Sequence, residues 1–298
     1  MTHLQPGSWF RRGVAPIAIV MTAAALDACT TNTAFERLTE ARRLSAELLI
    51  QFTQASNAAN QAVMADTDEA SVAFAKRAEE SKQTVEKNAG LLRPLLQQLN
   101  YSDEHGLLET FTKEFAAYRG LDGRILELAV ENTNLKAQRL SFGEAQQAAD
   151  AFTESLNAVA TAVPANDAWR VKALVAGAVA DLRAIQVAQG PHIAEADDAV
   201  MTRIEQRMKT SETGVRSALD AVGQVAPPAS RPRLAAARMA FDRFIAVNAQ
   251  IVDLSRRNTN VRSLMLTLNE KAKITSACEN TLRALQDALS KRGVGGSR

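Results

Sequence analysis

An internal duplication limits what this chain can fold into more than any other feature. The stretch VENTNLKAQRLSFGEA, beginning at Val130, is answered by RRNTNVRSLMLTLNEK, beginning at Arg256. Identities pair Ile125 with Ile251, Leu128 with Leu254, Asn132 with Asn258, Thr133 with Thr259, Asn134 with Asn260, Leu140 with Leu266 and Glu144 with Glu270. Conservative pairs such as Lys136/Arg262 and Ser141/Thr267 lie between them, and the echo reaches back to Phe115/Phe241 and forward to Leu156/Leu282. A whole structural unit is present twice, so the fold has to be built from two copies of it.

Each copy carries four stretches in which apolar residues return at steps of three and four. In the first copy these include Leu38, Ala41, Leu48 and Phe52, then Ala78, Val85, Leu92 and Leu99. Leu108, Phe111, Phe115 and Ile125 mark the third stretch, and Phe142, Ala149, Phe152 and Leu156 the fourth. The second copy ends in the matching run Val261, Leu264, Leu268, Cys278, Leu282 and Leu285. One narrow apolar stripe per stretch is the pattern of a helical-bundle seam. With 14 Gly, 8 Pro and only 5% aromatics, the composition favours helices over sheets. VPANDAW, from Val163, separates the copies, and APPASRP, from Ala226, separates two helices of the second. The two Asn-Thr-Asn triplets read as tight turns between third and fourth helices, their side chains bonding exposed backbone and capping the new helix. The expected fold is all-α: two tandem antiparallel four-helix bundles, over 30–163 and 167–291.

Residues 1–29 read as an export signal. Arg11 and Arg12 supply a positive region, and VAPIAIVMTAAAL, from Val14, an apolar one too short to span a bilayer of about 30 Å. LDAC, ending at Cys29, resembles a bacterial lipobox, with Asp27 departing from its usual small uncharged residue. The resemblance implies acylation of Cys29 and a lipid anchor, and Thr30 in place of Asp resembles sorting to the outer membrane. Cleavage after the alanine run ending at Ala25, or retention of the segment as a weak anchor, stays open. Cys278 falls on the apolar stripe and reads as a small buried apolar residue.

A third helix ending ILELA or IVDLS, a short polar turn, then LKAQRLSFGEA or VRSLMLTLNEK, resembles the extracytoplasmic four-helix-bundle domain of bacterial methyl-accepting chemotaxis receptors, here in tandem duplicate. In that family the bundle senses small ligands. The chain ends in SKRGVGGSR with no second spanning segment, HAMP-like linker or signalling hairpin, so the resemblance implies a sensory module rather than a complete receptor.

Nucleophile, metal and cofactor signatures are missing: there is no phosphate-cradling Gly-rich loop, no CxxC and no HExxH. Neither an enzyme nor a cofactor is expected. His192 stands beside Glu195, Asp197 and Asp198 in a segment read as a solvated acidic turn rather than a metal site. A net charge of +2 without a basic block interleaved with aromatics sets nucleic-acid binding aside.

The departure from apolar patterning lies in the seam. Heptad counting from Leu108 through Phe115 places Asp122 at a core position, and its mate in the second copy is Asn248. Counting outward from the turns brings Asp122 level with Glu144, and Asn248 level with Glu270 and Lys271. A polar layer inside a bundle has to be satisfied by protein, water or ligand. These five are the candidate ligand-binding or register-fixing residues. Two function classes follow. One is a periplasmic lipoprotein that binds a small molecule and works through a separate membrane partner; the other is a structural or docking spacer of the envelope. A homodimer is compatible with either.

Overall fold

The computed structural model describes residues 18–293, with side chains from Thr33 onward apart from Ala165. The positive region of the signal, and the side chains of LDAC including Cys29, lie outside the described residues. Among the described residues ten α-helices follow one another: α1 (Ala18–Met64), α2 (Asp68–Gln98), α3 (Ser102–Glu131), α4 (Thr133–Leu140), α5 (Gln146–Thr161), α6 (Ala165–Ala194), α7 (Asp198–Val225), α8 (Arg231–Arg257), α9 (Thr259–Leu266) and α10 (Ala272–Lys291). Among the described residues there is no strand, and no helix is long and apolar enough to cross a membrane.

The helices stop where local chemistry stops them. Asn100, Asn132 and Asn258 take left-handed backbone (φ 57°, 50° and 54°), a conformation Asn tolerates better than most residues and one that ends a right-handed helix in a single step. Asp197 caps α7 by accepting from Ala199 N at 2.8 Å and Val200 N at 2.9 Å. Pro164 and the Pro227–Pro228 pair precede α6 and α8, where the ring's fixed φ and missing N–H suit a helix start.

Two compact units result. Among the described residues, unit one comprises the chain up to Phe52, Gln83–Lys113 and the chain from Cys278 onward. Its described core draws Leu44, Leu48 and Phe52 from α1, Val85, Leu92 and Leu96 from α2, Leu108 and Phe111 from α3, and Cys278, Leu282, Leu285 and Leu289 from α10, all buried. Phe52 and Phe111 meet edge to face, their centroids 6.1 Å apart. Arg42 donates from Nε to Leu289 O at 3.0 Å and from Nη2 to Arg292 O at 2.6 Å, so α1 satisfies carbonyls that the end of α10 leaves open. Arg292 grips Glu104 at 2.7 and 2.9 Å. Burial pushes this carboxyl up; the guanidinium more than reverses it and holds it below the usual carboxylate range.

Unit two comprises Thr53–Lys82 and Glu114–Ala277. Its main core joins Ala145, Phe152, Leu156 and Val159 of the α4–α5 segment to Val171, Leu182 and Ile185 of α6, Met208, Val215 and Leu219 of α7, and Phe241, Phe244 and Ile251 of α8. A smaller cluster packs Leu266 and Ile274, from the last helical segment, on Leu121, Ile125 and Val63.

The fourth helices are therefore exchanged. The segment after the first Asn-Thr-Asn turn, α4–α5, packs against α6 and α8 of the second copy. The segment after the second turn runs with the helices of the first copy. These units are not the consecutive stretches 30–163 and 167–291 expected from the sequence. The stripes are correct in kind, but a stripe does not say which partner it faces, and Pro164 marks a break in the chain without marking a boundary between cores.

Candidate functional site

The exchange decides what surrounds the polar layer. Asp122 is fully buried, and the groups that reach it come from α2 and from the far end of the sequence. Lys82 Nζ lies 2.8 Å from Asp122 Oδ2, and Lys271 Nζ lies 2.8 Å from Asp122 Oδ1. Both lysines are buried, at 1% and 2% exposure, so two ammonium groups share one carboxylate inside unit two. Lys82 also touches Glu79 at 3.0 Å, which Arg119 meets at 2.6 Å on the rim. Lys271 donates to Asn60 Oδ1 at 3.2 Å and stands 5.6 Å from the Tyr118 ring centre. Burial holds the Lys271 ammonium below its ordinary value of 10.5, only partly offset by Asp122.

Asn248 heads a different layer. It is half-buried and accepts at 2.8 Å from Gln189 Nε2, while Ser141 Oγ donates to Gln189 Oε1 at 2.7 Å. Of the five residues singled out by counting along the sequence, the structure brings together Asp122 and Lys271. Glu144 is exposed, 3.9 Å from Arg243, and Glu270 faces solvent. The pairing of Asp122 with Glu144, and of Asn248 with Glu270 and Lys271, assumed that each fourth helix returns to its own copy. Lys82, Gln189 and Ser141 were missed; Lys82 sits at a stripe-compatible step between Ala78 and Val85, which was the available signal.

The turns themselves are the second feature. Thr133 N donates to Thr259 Oγ1 and Thr259 N to Thr133 Oγ1, each at 3.1 Å. Asn134 N and Asn260 N likewise donate to each other's Oδ1 at 3.1 Å, and Arg257 pairs with Glu131 at 3.1 Å. Each of these contacts joins a residue to its repeat mate. The side chains do bond helix-start N–H groups, as Asn-Thr-Asn suggests, but those of the other turn; Asn132 and Asn258 make no side-chain cap of their own.

Eight residues beyond each turn the α-helix admits a π turn, Ser141–Ala145 in one copy and Thr267–Lys271 in the other. One extra residue per π turn advances the helix face by about 100°. That buries Ala145 and Lys271 and turns Phe142 and Leu268 outward, at 77% and 66% exposure. The three-and-four spacing puts both on the core stripe, together with Leu264, which is 42% exposed.

Phe142 and Leu268 stand at a groove of about 880 Å3 within unit two. Its other walls are the end of α1 (Val63, Met64), α4 (Asn134, Leu135, Gln138), the end of α6 (Gln186, Val187, Ile193) and α9 (Asn260, Val261, Leu264). No charged residue lines it. A smaller cavity of about 340 Å3 borders Asn248, Met208, Glu205 and Glu212. Both carboxylates there are engaged by cations: Glu205 by Arg256 and Glu212 by Lys209 and Arg216.

His192 is not part of a solvated acidic turn. It is fully buried, its ring bridging Ser255 Oγ and Glu205 Oε1 at 2.8 Å each, and Ser255 donates back to the His192 carbonyl at 2.8 Å. Arg256 Nε binds the same Glu205 oxygen at 2.6 Å, and these bonds hold the Glu205 carboxyl below its usual range. With Ser255 at 0% exposure, the Ser–His–Glu sequence of contacts has no room for a substrate and works as a clasp between α6, α7 and α8. Among the described residues, no three of His, Cys, Asp or Glu are placed to share a metal ion. Comparison with family models, with curated proteins and with solved structures finds no match.

Proposed function

We propose that this chain is an exported envelope lipoprotein, anchored through Cys29, whose chemoreceptor-like helices bind a small uncharged apolar molecule in the unit-two groove and act through a separate membrane partner. The observation that carries this reading is the groove: its volume lies within the range of about 300–1,000 Å3 usual for ligand pockets. Its walls offer apolar surface with a few amides and one hydroxyl, and no charge. A charged ligand would lose its hydration there without gaining a counter-ion, whereas a neutral one loses little. The polar layers support the same choice, because Lys82 and Lys271 are already held by the fully buried Asp122, and the cations beside the small cavity at Asn248 are already paired with Glu205 and Glu212, which leaves none for an organic acid.

The test is a thermal-shift series on the mature protein, with neutral probes (medium-chain alcohols, indole, naphthalene) set against amino acids and organic acids. Neutral probes should raise Tm as RT ln(1 + [L]/Kd) dictates, and Phe142→Ser should remove the response while leaving the unliganded Tm within about 2 °C, since the residue is exposed. A spacer or docking role is the other reading, favoured by the apolar rim of Met64, Phe142, Val187 and Leu268. Silence of every neutral probe would put it ahead.

A further inference from the structure

The layers at Asp122 and Asn248 are built from corresponding positions but have opposite chemistry. Lys82, Asp122 and Lys271 form one; in the other, Asn248 and Ala145 stand at the repeat mates of Asp122 and Lys271, and Met208 touches Asn248 where Lys82 touches Asp122. The last member of each set lies on a fourth helix, at the final residue of its π turn. If each fourth helix returned to its own copy, Lys271 would bring an ammonium against Met208 and Asn248, where the nearby carboxylates, Glu205 and Glu212, are already engaged by Arg256, Lys209 and Arg216. Ala145 would then leave Asp122 with Lys82 alone. A buried ammonium without its carboxylate is strongly unfavourable, and the exchanged arrangement is the one that avoids it. Elsewhere the fourth helices are near equals: Leu156 answers Leu282 and Val159 answers Leu285. Phe152 against Cys278 is the main contrast of size.

We propose that the Lys82–Asp122–Lys271 triad is the address that sends each fourth helix to the other copy's helices. Charge here selects a partner more than it adds stability, the role a single buried polar residue has in fixing the register of a coiled coil. In the crossed arrangement α4 and α9 both line the groove. The inference rests on the burial and spacing of the triad and does not depend on what the groove binds.

The experiment uses the full chain with Cys29→Ser and Cys278→Ala as background, and a short bifunctional thiol reagent. Gln186 Nε2 donates to Gln146 Oε1 at 3.0 Å, so Gln146→Cys with Gln186→Cys reports the crossed helices. Ala272 is the repeat mate of Gln146, so Gln186→Cys with Ala272→Cys reports returned helices. With the triad intact, only the 146–186 link should form within a monomer. The triple variant Lys82→Met, Asp122→Asn, Lys271→Ala gives both layers the same residues and is expected to fold, since apolar replacement of a complete buried ion cluster is well tolerated. It should show both links in yields within about threefold of each other, and moving the lysine (Lys271→Ala with Ala145→Lys) should make the 186–272 link dominant. A triple variant that still forms the 146–186 link in more than about tenfold excess would overturn the proposal and assign the selection to the contrast of size between positions 152 and 278, which the Cys278→Ala background keeps. Should the moved-lysine variant fail to fold, the triple variant alone decides.

Discussion

Asp122 holds two ammonium groups at 2.8 Å each, so its removal costs more than the loss of a pair. Asp122→Ala leaves Lys271 without a carboxylate and Lys82 with the rim carboxylate of Glu79 alone, and should destabilise the protein by about 3–5 kcal/mol in urea titration. Alkaline pH tests Lys271 separately. Its folded pKa lies below the unfolded value of 10.5, so between those two values the unfolded chain binds more protons than the folded one. Stability relative to Lys271→Met should therefore rise as pH climbs through that window and level off above 10.5. A difference that falls with pH would show that Asp122 outweighs desolvation. Glu205 behaves in the opposite sense. Its carboxyl is held below 4.5, first by Arg256 and then by His192, so its contribution is complete above 4.5 and disappears as pH falls through the lowered value. Glu205→Gln should cost about 1–2 kcal/mol at neutral pH, with the gap from the parent protein closing in acid.

The reciprocal turn is a property of elements, because neither turn satisfies its own helix starts. Thr259→Val keeps the shape of the side chain but strips the acceptor from the Thr133 N–H, which is buried, and takes away a donor–acceptor partner of Thr133 Oγ1. The expected loss is about 1–3 kcal/mol by denaturant unfolding, and Thr133→Val should match it through the reciprocal bond. Combining the two should cost less than the sum, since the second substitution removes groups the first has already orphaned. Helix positions and the doubled turn were legible in the residues, because periodicity and Asn-Thr-Asn act locally. Their pairing was not, since identical stripes fit either arrangement and the distinguishing contact joins Asp122 to Lys271 across a long stretch of chain. The π turns were hidden for another reason: one inserted residue leaves no mark on composition, and Phe142 and Leu268 look like core residues until the face rotates beneath them.

For the whole molecule, exchange means that the two halves of the sequence are not two folding units. A protease site placed between Val163 and Pro164, in the loop joining α5 to α6, should leave the halves associated on size-exclusion chromatography after cleavage, because α4–α5 packs against α6 and α8. Each half made alone should fail to melt cooperatively as a monomer; recovery of two folded monomers would remove the exchange. The arrangement also sets a schedule for synthesis. The first three helices are complete once Glu131 has been made, yet their fourth wall begins only at Ala272. At about 5–20 residues per second, the interval is on the order of ten to thirty seconds, during which Leu44, Phe52, Leu92 and Phe111 have no lid. Helix α10 is made after the other described helices, yet it is the one the earliest of them are waiting for, and for that interval the nascent chain must be kept from sticking to its neighbours.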